Sequence, residues 1–354
     1  MKKLVILLLL VVLMVPLFAG AQQEQATKKP MVTFLMPTKE QPIWLFQGDE
    51  LVKLFKEKGF ETRLEYAEDI IERQVYQIEN AVTLGTKYLV IAAVDSYSIS
   101  DAVEKAKAAG VVVIANDRLI MNTKAVDYYV TFDLYRLGQM QGEYIERALG
   151  LDAGKKGPFN MEIVSGSPDD PNSQIFYNGA MSVLKKYLDA GSLVVRSGQL
   201  EFGVTATLAW DTAKAMARMD NLLSAYYTND IVHAVLGAAD CVSLGVISAL
   251  TSMGYGTAGR PFPVVTGQDC ELTAIKSIIE GKQTMSVFLD AKVLAEKTFE
   301  IIDAFEKGVA LKPDKMYFND VFDVPAVMYE PVAVDKDNWQ IVIDRGLYTE
   351  ADLK

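Results

Sequence analysis

Apolar and polar positions along this chain follow two alternating periods. Tyr88 to Ala93 and Val111 to Ala115 are apolar without interruption, the pattern of strands covered on both faces of a parallel sheet. Met31 to Met36 and Phe60 to Tyr66 read as strands of the same sheet. Between them lie stretches with helical spacing. Leu51, Leu54 and Phe55 mark a helix over Gly48 to Lys58 that stops at Gly59, and Val75, Ile78, Ala81 and Val82 share one face of a helix over Ile70 to Leu84. Ile99 to Ala109 is a third helix, stopped by Gly110. Strands alternating with helices imply a parallel sheet with right-handed crossovers.

The alternation then restarts. Strands are expected at Phe159 to Ser165, Leu193 to Ser197, Ala234 to Ala238 and Phe262 to Gly267. Helices are expected at Asn172 to Ala190, Thr205 to Tyr227, Val242 to Met253 and Leu272 to Glu280. The order predicts a second sheet of the same kind, so the fold class is α/β with two doubly wound lobes. After a strand at Thr284 to Phe288 and a helix at Ala291 to Lys307, only short apolar runs remain, Val321 to Val327 and Pro331 to Val334. These late strands must pair with one lobe or the other, so the chain crosses between lobes several times, as a hinge does.

In open α/β sheets ligands bind beyond the carboxyl ends of the strands. The strand at Val111 delivers Asn116-Asp117-Arg118 there, a planar acceptor beside a planar five-donor fork. The first lobe adds Lys39, Trp44 and Asp95, and the second offers Asp169, Asp170, Asn172, Trp210, Asp240, Gln268 and Asp269. Carboxylates, amides, one arginine and two indoles on facing rims suit a polyhydroxylated ring, with indole faces stacking on its C–H faces. Each residue also has a plainer reading. Asp170, Asn172, Asp240 and Asp269 precede helices and can act as caps, Trp44 and Trp210 can be core residues, and Asp117-Arg118 can be a local ion pair.

Composition narrows the classes. Met1-Lys2-Lys3, the apolar run Leu4 to Phe18 and Ala19-Gly20-Ala21 read as a cleavable export signal over residues 1–21. The apolar core of about 15 residues is shorter than the roughly 20 a spanning helix needs. Removing two lysines and no acids takes the formal charge from −11 to −13, which disfavours nucleic acid and anionic lipid as partners. Catalytic chemistry is poorly supplied. Asp169 and Asp170 are adjacent rather than spaced, His233 begins an apolar strand, and no glycine-rich phosphate loop follows a strand. Cys241 and Cys270 either pair or line the pocket rim, and with one histidine they cannot build a metal site.

Met36-Pro37-Thr38-Lys39, Asn116-Asp117-Arg118-Leu119-Ile120, Gly166-Ser167-Pro168-Asp169-Asp170, Asn178-Gly179-Ala180-Met181 and Gly267-Gln268-Asp269 carry a resemblance. The chain resembles the periplasmic sugar-binding proteins of bacterial ABC importers, most closely the xylose-binding and multiple-sugar-binding receptor group of the ribose/galactose-type fold. The resemblance implies a periplasmic, monomeric receptor without cofactor that closes on a monosaccharide and delivers it to an ABC permease. It implies a three-crossing hinge, with residues 30–131 plus 288–326 as the N-terminal lobe and 132–287 plus 327–354 as the C-terminal lobe, after a lead-in at 22–29. A chemoreceptor or sensor kinase as the docking partner, and an exported carbohydrate-active enzyme, are the alternatives.

The same resemblance implies ligand contacts from Trp44, Asp117, Arg118, Asp170, Asn172, Trp210, Asp240 and Asp269. Three positions depart from it. Ile43 stands where Arg is usual, Leu289 where Lys is usual and Ala239 where Asn or Tyr is usual. A pocket less polar at one end is expected, fitting a deoxy or substituted sugar as well as a pentose or hexose.

Overall fold

A computed structural model describes residues 29–354. The expected export signal, residues 1–21, and nearly all of the expected lead-in at 22–29 lie outside the described residues.

The first lobe is a seven-stranded sheet in the order β11-β12-β5-β4-β3-β1-β2. Its strands are β1 (Met31–Met36), β2 (Glu61–Tyr66), β3 (Tyr88–Ile91), β4 (Val112–Asn116), β5 (Tyr128–Phe132), β11 (Lys315–Phe318) and β12 (Asp323–Tyr329). All neighbours run parallel except the edge pair β11 and β12. Every residue of β3 is buried, whereas β2 at the opposite edge is exposed or half-buried throughout and reads polar-apolar-polar. Helices α1 (Pro42–Glu57), α2 (Ile71–Thr83), α3 (Ser100–Ala108) and α10 (Ala291–Lys307) pack on its faces. Under α1, Phe34, Phe55, Phe60 and Phe299 meet edge to face with ring centres 5.3 to 6.3 Å apart.

The second lobe has the order β7-β6-β8-β9, from β6 (Phe159–Val164), β7 (Leu193–Val195), β8 (Ala234–Gly237) and β9 (Val264–Val265). It continues through β10 (Met285–Phe288), since Thr284 donates to the Val265 carbonyl and Val287 to that of Gly267, and β10 pairs antiparallel with β13 (Val332–Asp335). Helices α4 (Leu134–Ala148), α5 (Pro171–Asp189), α6 (Phe202–Thr205), α7 (Thr212–Tyr226), α8 (Asp240–Ser252), α9 (Leu272–Ile279) and α11 (Ile341–Asp344) belong to this half.

The chain passes between sheets at Asp133, at Leu289-Asp290 and at Glu330-Pro331. The boundary expected after residue 326 falls inside β12, which stays hydrogen-bonded to β5 as far as Tyr329. Two elements outside those expected, β5 and α4, carry the first passage. Helix α4 buries Leu134, Leu137 and Ile145 at helical spacing, and between them it turns Gly138 and Gly142 toward α5. A Cβ on Gly138 would lie 2.0 Å from the Phe176 carbonyl oxygen, and one on Gly142 would lie 2.8 Å from that of Ala180. Small residues on this seam bring α4 against α5 and fix where the start of α5 points.

Two helix boundaries also differ from expectation. Helix α1 starts at Pro42, well before Gly48, because proline suits a first helical turn whose N–H groups are unpaired anyway. The helix expected over Thr205 to Tyr227 begins only at Thr212, after a 3-10 turn at Leu208–Trp210. Ala209 and Trp210 adopt left-handed φ of 60° and 55°, and Asp211 caps α7 by accepting from the Lys214 N–H at 2.9 Å. The Asp211-Thr212 pair is the cap signal that marks this restart in the sequence.

Candidate functional site

Between the lobes lies a cavity of about 390 Å³ that is partly open to solvent. Seven of the eight expected residues line it: Trp44, Asp117, Arg118, Asp170, Asn172, Trp210 and Asp269.

The first lobe's contribution is built by a tight turn at the end of β4. The Arg118 N–H donates to the Asn116 carbonyl at 2.6 Å with Asp117 at φ +63°, so two consecutive side chains leave the strand in different directions into the cleft. Gln47, one turn along α1 from Ile43 and 1 % exposed, fixes both neighbours. Its amide accepts from Asn116 Nδ2 at 2.9 Å and donates to Asp117 Oδ2 at 2.7 Å. Burial pushes the Asp117 carboxyl up to about 6, with the Asp170 charge adding and the Gln47 bond and Arg118 opposing. The Arg118 guanidinium donates to the Ala93 carbonyl at 3.0 Å and lies 4.9 Å from the centre of the Trp44 ring. One face of Trp44 is therefore taken by Arg118.

The second lobe answers from the start of α5. Asp170 is the cap residue, its Oδ1 accepting from the Asn172 N–H at 3.0 Å, and its Oδ2 reaches Arg118 Nε across the cleft at 3.1 Å. Burial raises the Asp170 carboxyl and Arg118 opposes the rise. Asn172 spends both ends of its amide on the first lobe. Nδ2 donates to the Asp117 carbonyl at 2.7 Å, and Oδ1 lies 3.2 Å from the Tyr129 hydroxyl, which also donates to the Asp117 carbonyl at 2.6 Å. Asn172 thus joins the lobes directly, and Tyr129 is a site residue the sequence reading missed, carried on the unread strand β5.

Trp210 is 6 % exposed and its indole N–H has no hydrogen-bond partner among the described residues. The ring packs so closely on residue 166 that a Cβ there would sit 2.1 Å from it, which is why glycine occupies that position. Asp269, at φ +91°, is half-buried, and its carboxylate accepts no hydrogen bond among the described residues. Burial, then Asp240 and Glu271, hold its carboxyl well above the ordinary range. Phe176 closes one side, stacked on Phe132 with ring centres 6.1 Å apart. Ile43, Ala239 and Leu289, the three positions that depart from the resemblance, all line the cavity.

Asp240 does not line it. It is 0 % exposed, and its oxygens accept from Gln283 Nε2 at 2.7 Å, Ser286 Oγ at 2.8 Å and the Glu271 N–H at 3.0 Å. Its place one residue into α8 turns it behind the cavity wall, where it ties α8 to β10 and α9. Burial raises the neighbouring Glu271 to about 7. Cys241 and Cys270 are both free thiols, Cys241 on the cavity wall and Cys270 in the core.

Two doubly wound lobes, three passages and a polar cavity at the facing strand ends define a periplasmic binding protein of type I. The chain belongs to the periplasmic binding protein domain family, which it matches over residues 32–309. It is 50 % identical over 343 residues to the multiple sugar-binding periplasmic protein SbpA of Azospirillum brasilense, covering 96 % of each chain. It is 32 % identical to the D-xylose-binding periplasmic protein of Escherichia coli, covering 88 % of each. Among solved structures, an ABC transporter solute-binding protein from Clostridium phytofermentans with bound β-D-glucose superposes with a TM-score of 0.87 at 43 % identity, over 92 % of this chain and 100 % of that one.

Proposed function

We propose that this protein is a receptor that captures a monosaccharide between its lobes and presents it to an ABC permease, without transforming it. The observation that carries the reading is a cavity whose acceptors outnumber its donors. Asp117, Asp170 and Asp269 face a single guanidinium, so a ligand bristling with hydroxyl donors suits it, and the Trp210 indole offers an apolar ring a flat surface. Asp117, Arg118, Asp170 and Asp269 meet the hydroxyls in this reading, Trp210 and Trp44 bound the ring, and Asn172 contributes chiefly by holding the lobes together.

At the hinge side the wall is apolar. Ile43 shares a helix face with Phe46, which borders a surface pocket together with Phe288 and Asp290, the two residues flanking Leu289. A ring position lacking a hydroxyl, as in a 6-deoxyhexose or a pentose, fits beside Ile43 and Leu289. A hydroxyl left unpaired there costs about 1–3 kcal/mol. Residues 1–21 act as the export signal in this reading, so the exported protein begins at Gln22. Docking of the closed form on a chemoreceptor or sensor kinase is compatible with the same cleft.

Isothermal titration of ligand-stripped protein with pentoses, hexoses and their deoxy forms tests the reading. Binding of at least one sugar class is expected, with the deoxy form equal to or tighter than its parent. Failure of every sugar to bind folded, stripped protein overturns it.

A further inference from the structure

A second cavity of about 490 Å³ adjoins the first. The two share Gln41, Arg118 and Trp210 as common wall. The inner cavity sits over the end of β4, and the outer one lies over the ends of β3 and β2, the strands further out in the same sheet, where Val94, Asp95 and Asp69 emerge. The opposite wall comes from the second lobe, through Asp169 and Ala209. The outer cavity is therefore a continuation of the cleft along the sheet edge and is formed only when the lobes approach.

Its chemistry repeats that of the inner cavity. Carboxylates of Asp69, Asp95 and Asp169 supply acceptors, while Ile71, Val94 and the Trp210 indole supply apolar surface. Asp95 keeps one oxygen free, since its Oδ1 serves the N–H groups of Tyr97 and Ser98 at 2.8 Å each. Of the three shared residues, Arg118 is held by Asp170 and the Ala93 carbonyl, and Trp210 is wedged against Gly166. Gln41 is half-buried and bound only through its Oε1, which accepts from Trp44 Nε1 at 2.9 Å. Rotation of that side chain would break one hydrogen bond and move one of the three shared walls. The break between α6 and α7 is what sets Trp210 at the junction, with an edge available to each cavity.

We propose that the outer cavity is a second sugar subsite, so that the receptor also accepts glycosides and disaccharides whose first ring occupies the inner cavity. This rests on the reading of the inner cavity as a monosaccharide site. The experiment titrates stripped full-length exported protein with D-glucose, D-xylose, both anomers of methyl glucoside, maltose, cellobiose and xylobiose. At least one substituted sugar is expected to bind within tenfold of its parent. Ile71→Trp and Ile71→Phe, which fill the outer cavity to different extents, are each expected to weaken that substituted sugar, the tryptophan at least tenfold, while leaving the parent within twofold. Substituted sugars all binding over a hundredfold more weakly than their parents would overturn the proposal, as would variants that affect parent and substituted sugar alike. If no parent sugar binds, the reading of the inner cavity fails first.

Discussion

Gln47 never touches the cavity, yet replacing it with methionine is expected to move the pH dependence of binding. The substitution keeps length and buried volume but removes the donor to Asp117 Oδ2 at 2.7 Å. A hydrogen bond to a charged group is worth about 1.5–3 kcal/mol, and 1.36 kcal/mol corresponds to roughly one pKa unit. Losing the bond therefore lifts the Asp117 carboxyl from about 6 to roughly 7–8. If only the carboxylate accepts from the ligand hydroxyl, the ionised fraction at pH 7 falls from about nine tenths to between about a half and a tenth. Affinity at pH 7 drops about twofold to tenfold, and at pH 9 it returns to within about twofold of the parent protein. Titration calorimetry at half-unit steps between pH 5 and 9 reads this directly. An equal loss at every pH would mean that Gln47 acts only by packing, and no loss at pH 7 would mean that Asp117 does not work as an anion; either refutes the reasoning.

Three further outcomes follow from the same geometry. In ligand-free protein, the raised carboxyls of Asp117 and Glu271, at about 6 and about 7, bind protons in the folded state that the unfolded chain has already lost. Stability therefore falls as pH rises from about 4 to 7, by on the order of 3 kcal/mol for each buried carboxyl, and melting temperatures by calorimetry should be higher at pH 5 than at pH 8. Affinity moves the opposite way over the same range. Gly138→Ala drives a methyl to 2.0 Å from the Phe176 carbonyl oxygen, so α4 and α5 must part. A loss of about 1–3 kcal/mol in chemical denaturation is expected, together with weaker ligand binding through displacement of Asp170 and Phe176. Asp240→Ala removes the acceptor of three hydrogen bonds and should cost about 2–4 kcal/mol of stability while leaving the rank order of sugars unchanged, as a competition titration would show.

The parallel sheets were legible because buried strands such as β3 are apolar on both faces, and the site because Asp117, Arg118, Asp170 and Trp210 follow strands in sequence as well as in space. Asp240 follows a strand too, but its helix begins at once and the first turn carries the side chain behind the wall. Strand position predicts proximity to the cleft and says nothing of which way a helical residue faces. Gln47 and Tyr129 were invisible for a different reason. Each is buried and polar and falls outside the elements as read, Gln47 just before the expected start of α1 and Tyr129 on the unread β5, and its partner is 70 or 43 positions away. The glycine seam of α4 was unread because close approach of backbones leaves no hydrophobic signal.

The Asn172 Nδ2–H donates to the Asp117 carbonyl at 2.7 Å and Arg118 Nε pairs with Asp170 Oδ2 at 3.1 Å, so two bonds bridge the lobes through groups that no ligand has to supply. A net contribution of about 1 kcal/mol per bond favours the shut form of the empty protein by on the order of fivefold each. A sugar then needs to contribute less to reach full closure, so the receptor captures at lower concentrations. The same two bonds narrow the contrast between loaded and empty molecules. A permease responding to shape alone would meet some vacant receptors already in the loaded shape, and fidelity of delivery would have to come from how long each stays shut.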